Sequence, residues 1–120
     1  MIIPAESRTP EVVFAAQSCT VKGECYPEDI SEFSAPIMEQ LSADLATADA
    51  YHVDIELYYF NSSSAKFLFD LFEFLDQSAG ANKQIAVTWR YRADDDTMQD
   101  AGEEFREDLD NLVFKLEQID

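Results

Sequence analysis

Tyr51-His52-Val53-Asp54-Ile55-Glu56-Leu57-Tyr58-Tyr59 places apolar side chains at every odd position and polar ones at three of the four even positions. A period of two is that of a strand with one buried face. Asn61-Ser62-Ser63-Ser64 then breaks the alternation with residue types that cap helix N-termini. Beyond it Phe67, Leu68, Leu71, Phe72, Phe74 and Leu75 leave only a thin polar stripe of Lys66, Asp70, Glu73 and Asp76. That pattern predicts a helix apolar over most of its circumference, hence the most buried one. Gly80 lies near the position after its end, where glycine commonly stops a helix. Ile85, Val87, Trp89 and Tyr91 alternate with Ala86, Thr88 and Arg90, which gives a second strand. Two strands joined through a helix make a β-α-β crossover and therefore run parallel.

The rest of the chain extends this unit on both sides. Glu11-Val12-Val13-Phe14-Ala15 and Cys19-Thr20-Val21-Lys22-Gly23 read as a hairpin, and Tyr26-Pro27-Glu28-Asp29 as a turn. Phe33, Ile37, Leu41 and Leu45 recur every four residues, which predicts an amphipathic helix from Ser31 to about Ala48. Asp94 to Asp108 reads as a polar helix around Met98, Ala101 and Phe105, and Leu112-Val113-Phe114-Lys115-Leu116 as a last strand. The fold class is α/β: one domain over residues 1–120, with helices packed on a small mixed sheet.

Composition bounds the partners. The 120 residues carry 8 Lys and Arg against 25 Asp and Glu, a formal charge of −17. At 47% hydrophobic residues the chain can still bury a core, so the charge does not mark a disordered acidic tail. Such a surface repels nucleic acid and anionic membrane, and neither is expected as a partner. No apolar run is long enough to span a bilayer, and Met1–Glu6 lacks the form of a signal peptide, so the expected location is the cytoplasm. Cys19 and Cys25 are then expected to be reduced thiols. With the lone His52 they are too few for a structural zinc site, and no cofactor is expected.

Chemistry-bearing patterns are sparse. Asp94, Asp95, Asp96, Asp100, Glu103, Glu104, Glu107, Asp108 and Asp110 do not fit a calcium loop, because Met98 and Gln99 occupy essential positions. They read as a solvated helix face. His52 has no nucleophile motif to serve, and three glycines cannot build a familiar phosphate loop, so no catalytic residue is assigned. The serines at Asn61-Ser62-Ser63-Ser64 differ in kind. They stand where an interior strand ends and a buried helix begins, beside free N–H groups that favour a negative group. Capping the helix is one reading of them. Carrying a phosphate, about −1.5 to −2 charges and three acceptor oxygens, is another. From Tyr58 to Phe69 the only formal charge is Lys66, so a phosphate there would stand out locally.

Tyr59-Phe60-Asn61-Ser62-Ser63-Ser64-Ala65-Lys66 resembles the strand-to-helix motif of the SiaC family, bacterial regulatory phosphoproteins associated with biofilm control, in which Tyr-Phe-Asn-Thr-Ser-Ser is typical. Thr9-Pro10-Glu11-Val12, Gly23-Glu24-Cys25-Tyr26-Pro27-Glu28 and Met98-Gln99-Asp100-Ala101-Gly102-Glu103-Glu104-Phe105 agree with it in the same order. The resemblance implies a fold like the anti-sigma-factor antagonists (the STAS type) and a switchable phosphoacceptor at a helix start. It also implies a kinase of the histidine-kinase-like ATPase fold, a PP2C-type phosphatase, and a diguanylate cyclase bound and activated by the unphosphorylated form. The family's phosphoacceptor threonine falls on Ser62, with Ser63 the alternative if the register slips by one. Asn61, Ser62 and Ser63, with Tyr26 and Pro27, are the expected partner surface. Cys25 and Asp29 depart from the Ser and Asn usual in relatives. Two other readings stand beside this one: an acidic binding module controlled without phosphate, and a small metal-binding protein or enzyme using the acidic cluster.

Overall fold

The computed structural model describes all 120 residues. The strands are β1 (Ile2–Ile3), β2 (Glu11–Ala15), β3 (Ser18–Cys25), β4 (Ala50–Phe60), β5 (Gln84–Arg92) and β6 (Val113–Ile119). The helices are α1 (Ile30–Thr47), α2 (Ser62–Ala79) and α3 (Asp96–Glu107). The six strands form one sheet in chain order. β1, β2 and β3 pair antiparallel, and β3 to β6 pair parallel through the three helices. The architecture is thus the α/β mixed sheet expected from the alternating segments. β1 was not foreseen, since two residues are too few to show a period.

Sequential parallel strands joined by right-handed crossovers bring all three helices to the same face of the sheet. Burial agrees: Tyr51, Val53, Ile55 and Leu57 of β4 are buried, as are Ile85, Val87 and Trp89 of β5. Against them pack Ile37, Leu41 and Leu45 of α1 and Leu68, Leu71, Phe72 and Leu75 of α2. α2 carries the most buried residues of the three helices, as its wide apolar face requires, although Phe69 remains 43% exposed. The other sheet face is open and polar. Across it the register lines up Glu11, Lys22, Glu56, Arg90 and Glu117, alternating in sign from strand to strand. Arg90, fourth in the row, donates to both carboxylate oxygens of Asp54 (2.6 and 2.9 Å) and to Glu117. These charged partners hold the Arg90 guanidinium more firmly protonated than usual, the Asp54 hydrogen bonds contributing most.

Local chemistry sets the ends of the elements. Asp29 caps α1 by accepting the Glu32 N–H, and Lys83 closes its far end by donating to the Leu45 and Ala48 carbonyls, each at 2.6 Å. Pro36 lies inside α1 on an exposed side, so the carbonyl it leaves unpaired can meet water. Gly80 differs from its expected role. Its φ is −65°, an ordinary right-handed cap, and the left-handed turn is made by Asn82 at φ 71°. Small size suits Gly80 here, because a Cβ would stand 3.0 Å from the exposed Asn111 side chain, which would have to shift. Asp76, one turn earlier, accepts the N–H groups of Asn111 and Leu112 and so fixes the entry to β6.

The aromatic core explains one of the shared sequence stretches. The Trp89 indole N–H donates to the Met98 carbonyl at 2.9 Å, and its ring packs with Phe60, Phe72, Phe105 and Phe114. Gly102 lets α3 settle onto this ring: a Cβ there would lie 2.5 Å from Trp89 Cδ1. The Met98-to-Phe105 stretch is therefore a docking face for α3. Its acidic members Asp100, Glu103 and Glu104 are exposed, as is Glu107 beyond it, while Asp95 caps the helix through the Met98 N–H.

Candidate functional site at the start of α2

The site lies at the C-terminal end of β4, an interior strand, where parallel α/β sheets commonly place their functional loops. The way β4 ends is decisive. Gly23 pairs with Leu57 but Glu24 pairs with Tyr59, so Tyr58 is an inserted residue in a β-bulge. Gly23 meets the bulge with φ 135°, a conformation open to glycine, and a Cβ there would stand 3.2 Å from Pro10 Cα. One extra residue reverses the inside–outside alternation. Strict period two would bury Tyr59; instead Tyr59 is 49% exposed and Phe60 turns inward against Trp89 and Phe105. Tyr58 is held on the open face, its hydroxyl donating to Glu56 and its ring covered by the Arg92 guanidinium at 4.0 Å. The Glu56 hydrogen bond keeps the Tyr58 phenol protonated beyond its usual range.

Four consecutive residues then take different roles. Asn61 is the N-cap: its side-chain oxygen accepts the Ser64 N–H at 2.9 Å, and its own N–H donates to the Cys25 carbonyl at 3.3 Å. Ser62 and Ser63, the first two helical residues, are exposed. Ser64 is fully buried, its hydroxyl without a hydrogen-bonding partner of ordinary geometry, turned toward the Cys25 thiol. The reading in which the serine hydroxyls cap the helix is therefore corrected. Asn61 has the cap, and that frees the Ser62 hydroxyl to face solvent beside the unpaired N–H groups of the first turn. Lys66, one turn further along, extends over the surface to the Asp70 carboxylate at 3.0 and 3.1 Å.

The end of β3 brings Tyr26 alongside. Its ring meets Tyr59 edge-on with centroids 5.5 Å apart, while its hydroxyl donates to the Ser7 carbonyl and its N–H to the Arg8 carbonyl. Tyr26, Tyr59, Asn61, Ser62 and Ser63 thus gather at one end of the sheet. Pro27, next to Tyr26, lines an open groove with Ile3, Thr9, Phe33 and Pro36, which Asn61, Ser62 and Ser63 do not border. Tyr59 is the surface residue that the alternation missed, because period two assigned it to the core. His52 is exposed on the open sheet face, with Nε2 3.2 Å from Thr88 Oγ1. The acidic residues of α3 and the loop after it spread over the solvent side, and no three His, Cys, Asp or Glu side chains converge on a common point.

The profile of the SiaC family regulatory phosphoproteins matches residues 3–119. The chain belongs to the SiaC family. An uncharacterised protein of Pseudomonas aeruginosa strain UCBPP-PA14 is 27% identical over 109 residues, covering 88% of this chain and 86% of its own. SiaC of Pseudomonas aeruginosa, in a crystal structure of the diguanylate cyclase SiaD with SiaC as its activator, superposes with a TM-score of 0.93 at 24% identity over 99% of both chains. Apo-SiaC from the same organism gives a TM-score of 0.88 at 26% identity, over 98% of this chain and 97% of its own. The fold is thus that of SiaC, and this SiaC-family chain is a regulatory protein by family. No helix in it is long and apolar enough to cross a membrane.

Proposed function

We propose that this SiaC-family protein is a phosphorylation-switched activator whose phosphoacceptor is Ser62. In its unphosphorylated form it binds and activates an output enzyme, a diguanylate cyclase, through the surface formed by Tyr26, Tyr59, Asn61, Ser62 and Ser63. One observation carries the assignment: Asn61 takes the cap, leaving Ser62 exposed at the first helical position while Ser64 is enclosed. A kinase can reach Ser62 and Ser63 but not Ser64. Membership of a family of regulatory phosphoproteins supports the switch, and the SiaC that activates SiaD supports the kind of partner. The protein itself acts by binding, not by catalysis.

The mechanism follows from charge. A phosphate on Ser62 finds the positive end of the α2 dipole, a contact worth about 0.3–1 kcal/mol at an exposed site. Lys66 stands at i+4, the position where a cation meets an anion on the preceding turn. The modified helix start is therefore well tolerated by the regulator itself. The cost falls on the complex, because a partner that desolvates Tyr26 and Tyr59 would have to bury a dianion between them. A kinase of the histidine-kinase-like ATPase fold would add the phosphate and a PP2C-type phosphatase remove it, reactions that place the protein in the cytoplasm with ATP. Incubation with such a kinase, read by intact-mass spectrometry, is expected to add one phosphate to the wild type and none to Ser62→Ala. Undiminished incorporation in Ser62→Ala would move the site to Ser63. No incorporation in the wild type would favour an acidic binding module controlled without phosphate.

A further inference from the structure

The sheet has two edges of unequal kind. β1 is two residues long, whereas β6 offers seven residues of edge from Val113 to Ile119. The backbone orientation of β6 follows from one bond: the Ile119 carbonyl accepts the Ala93 N–H, so it points toward β5. In a strand, N–H and C=O of one residue point to the same side and successive residues alternate. Val113, Lys115 and Glu117 therefore also turn their backbone groups to β5, and Phe114, Leu116 and Gln118 turn theirs outward.

We propose that the β6 edge is a homodimer interface, in which two copies pair antiparallel about a twofold axis at Leu116 and join their sheets. The sequence Val113-Phe114-Lys115-Leu116-Glu117-Gln118-Ile119 is self-complementary about that axis. Leu116 meets its own copy, and Phe114 meets the second copy's Gln118, and these are the residues whose backbone groups are free to bond outward. Lys115 then faces the second copy's Glu117, and Val113 its Ile119, in the closer, non-hydrogen-bonded positions where side chains interact most strongly. A shift of one residue would place Lys115 opposite Leu116 or Gln118, which removes the charge pairing.

Two features of the chain fit this occupant. Lys115 is exposed and, in a chain with 25 acidic residues, has no ion-pair partner of its own. Val113 is 56% exposed on the open face, an apolar residue that Ile119 of a second copy would cover. Glu117 gives one carboxylate oxygen to Arg90 and keeps the other for the second copy's lysine. The opposing interpretation is that Lys115 and Glu117 merely guard the edge against pairing.

Sedimentation equilibrium of the full chain over a dilution series, at about 0.15 M salt to screen the net charge, distinguishes the two. The dimer is expected at high concentration and dissociates on dilution. Amide exchange at Phe114, Leu116 and Gln118 is expected to slow by ~tenfold or more in the dimer, with Lys115 and Glu117 unchanged because their amides already bond β5. Gln118→Pro removes an outward N–H that the fold itself does not use, so it should give a monomer with an unaltered circular dichroism spectrum. Lys115→Glu should weaken association ~tenfold or more, and Lys115→Arg should preserve it. A chain monomeric at every concentration overturns the proposal. So does undiminished association in Lys115→Glu, the variant least able to disturb the fold.

Discussion

Ser62 and Ser64 are two residues apart and chemically identical, yet one faces water and the other is fully enclosed. The difference is the turn of the helix, with Asn61 fixing where that helix starts. Cys25, against which Ser64 packs, shows the same dependence on position. Burial raises its thiol pKa, with Ser64 opposing, and burial raises that of Cys19 from 9.0 to about 12, with Asp44 adding to it. Both thiols stay protonated in the folded chain where an unfolded chain would ionise them. Well below pH 9 the thiols are neutral in both states and their contribution does not vary with pH. Between pH 9 and 12 the unfolded state releases protons that the Cys19 thiol retains, so stability falls as pH rises, by up to about 1.4 kcal/mol per pH unit for one such group. Urea unfolding at stepped pH is expected to show this decline, with a shallower slope for Cys19→Val. Parallel profiles for the two proteins would mean that Cys19 is not among the groups responsible.

At the scale of elements, the contact between α3 and the sheet rests on the absence of one side chain. Gly102 sits against Trp89, and an alanine Cβ would come within 2.5 Å of a ring enclosed by phenylalanines. The ring has little room to yield, and overpacking of this kind costs typically about 1–3 kcal/mol. Gly102→Ala is therefore expected to lower the unfolding free energy by that amount, read as a lower denaturation midpoint, with Trp89 fluorescence altered in the folded state. An unchanged midpoint would show that α3 can lift away freely. The order and type of the elements were legible in the sequence because α1, α2, β4 and β5 each hold one period for long enough to be read. The bulge was not, since a single inserted residue at Tyr58 leaves no trace in composition. That one residue decides that Tyr59 belongs to the surface and Phe60 to the core. Gly80 misled for a related reason: its size, not its backbone freedom, is what the structure uses.

At the scale of the molecule, the sheet separates three tasks. One face is covered by helices and supplies the core, the other carries the Glu–Lys–Glu–Arg–Glu row in solvent, and the end where β4 meets α2 presents the proposed switch. The net charge of −17 is spread unevenly, with 11 acidic residues in the last 30 positions and a single formal charge, Lys66, between Tyr58 and Phe69. A new dianion at Ser62 would thus change its surroundings more than one added to the acidic α3 would. That placement was readable from sequence; the exposure of Ser62 beside Tyr26 and Tyr59 needed the fold. The most direct test is a calorimetric titration of a diguanylate cyclase of the SiaD kind with unphosphorylated protein and with protein carrying one phosphate on Ser62. The expected result is tight binding of the first and a loss of ~tenfold or more for the second, a difference of about 1.4 kcal/mol or greater. Equal affinity of the two forms would contradict the account.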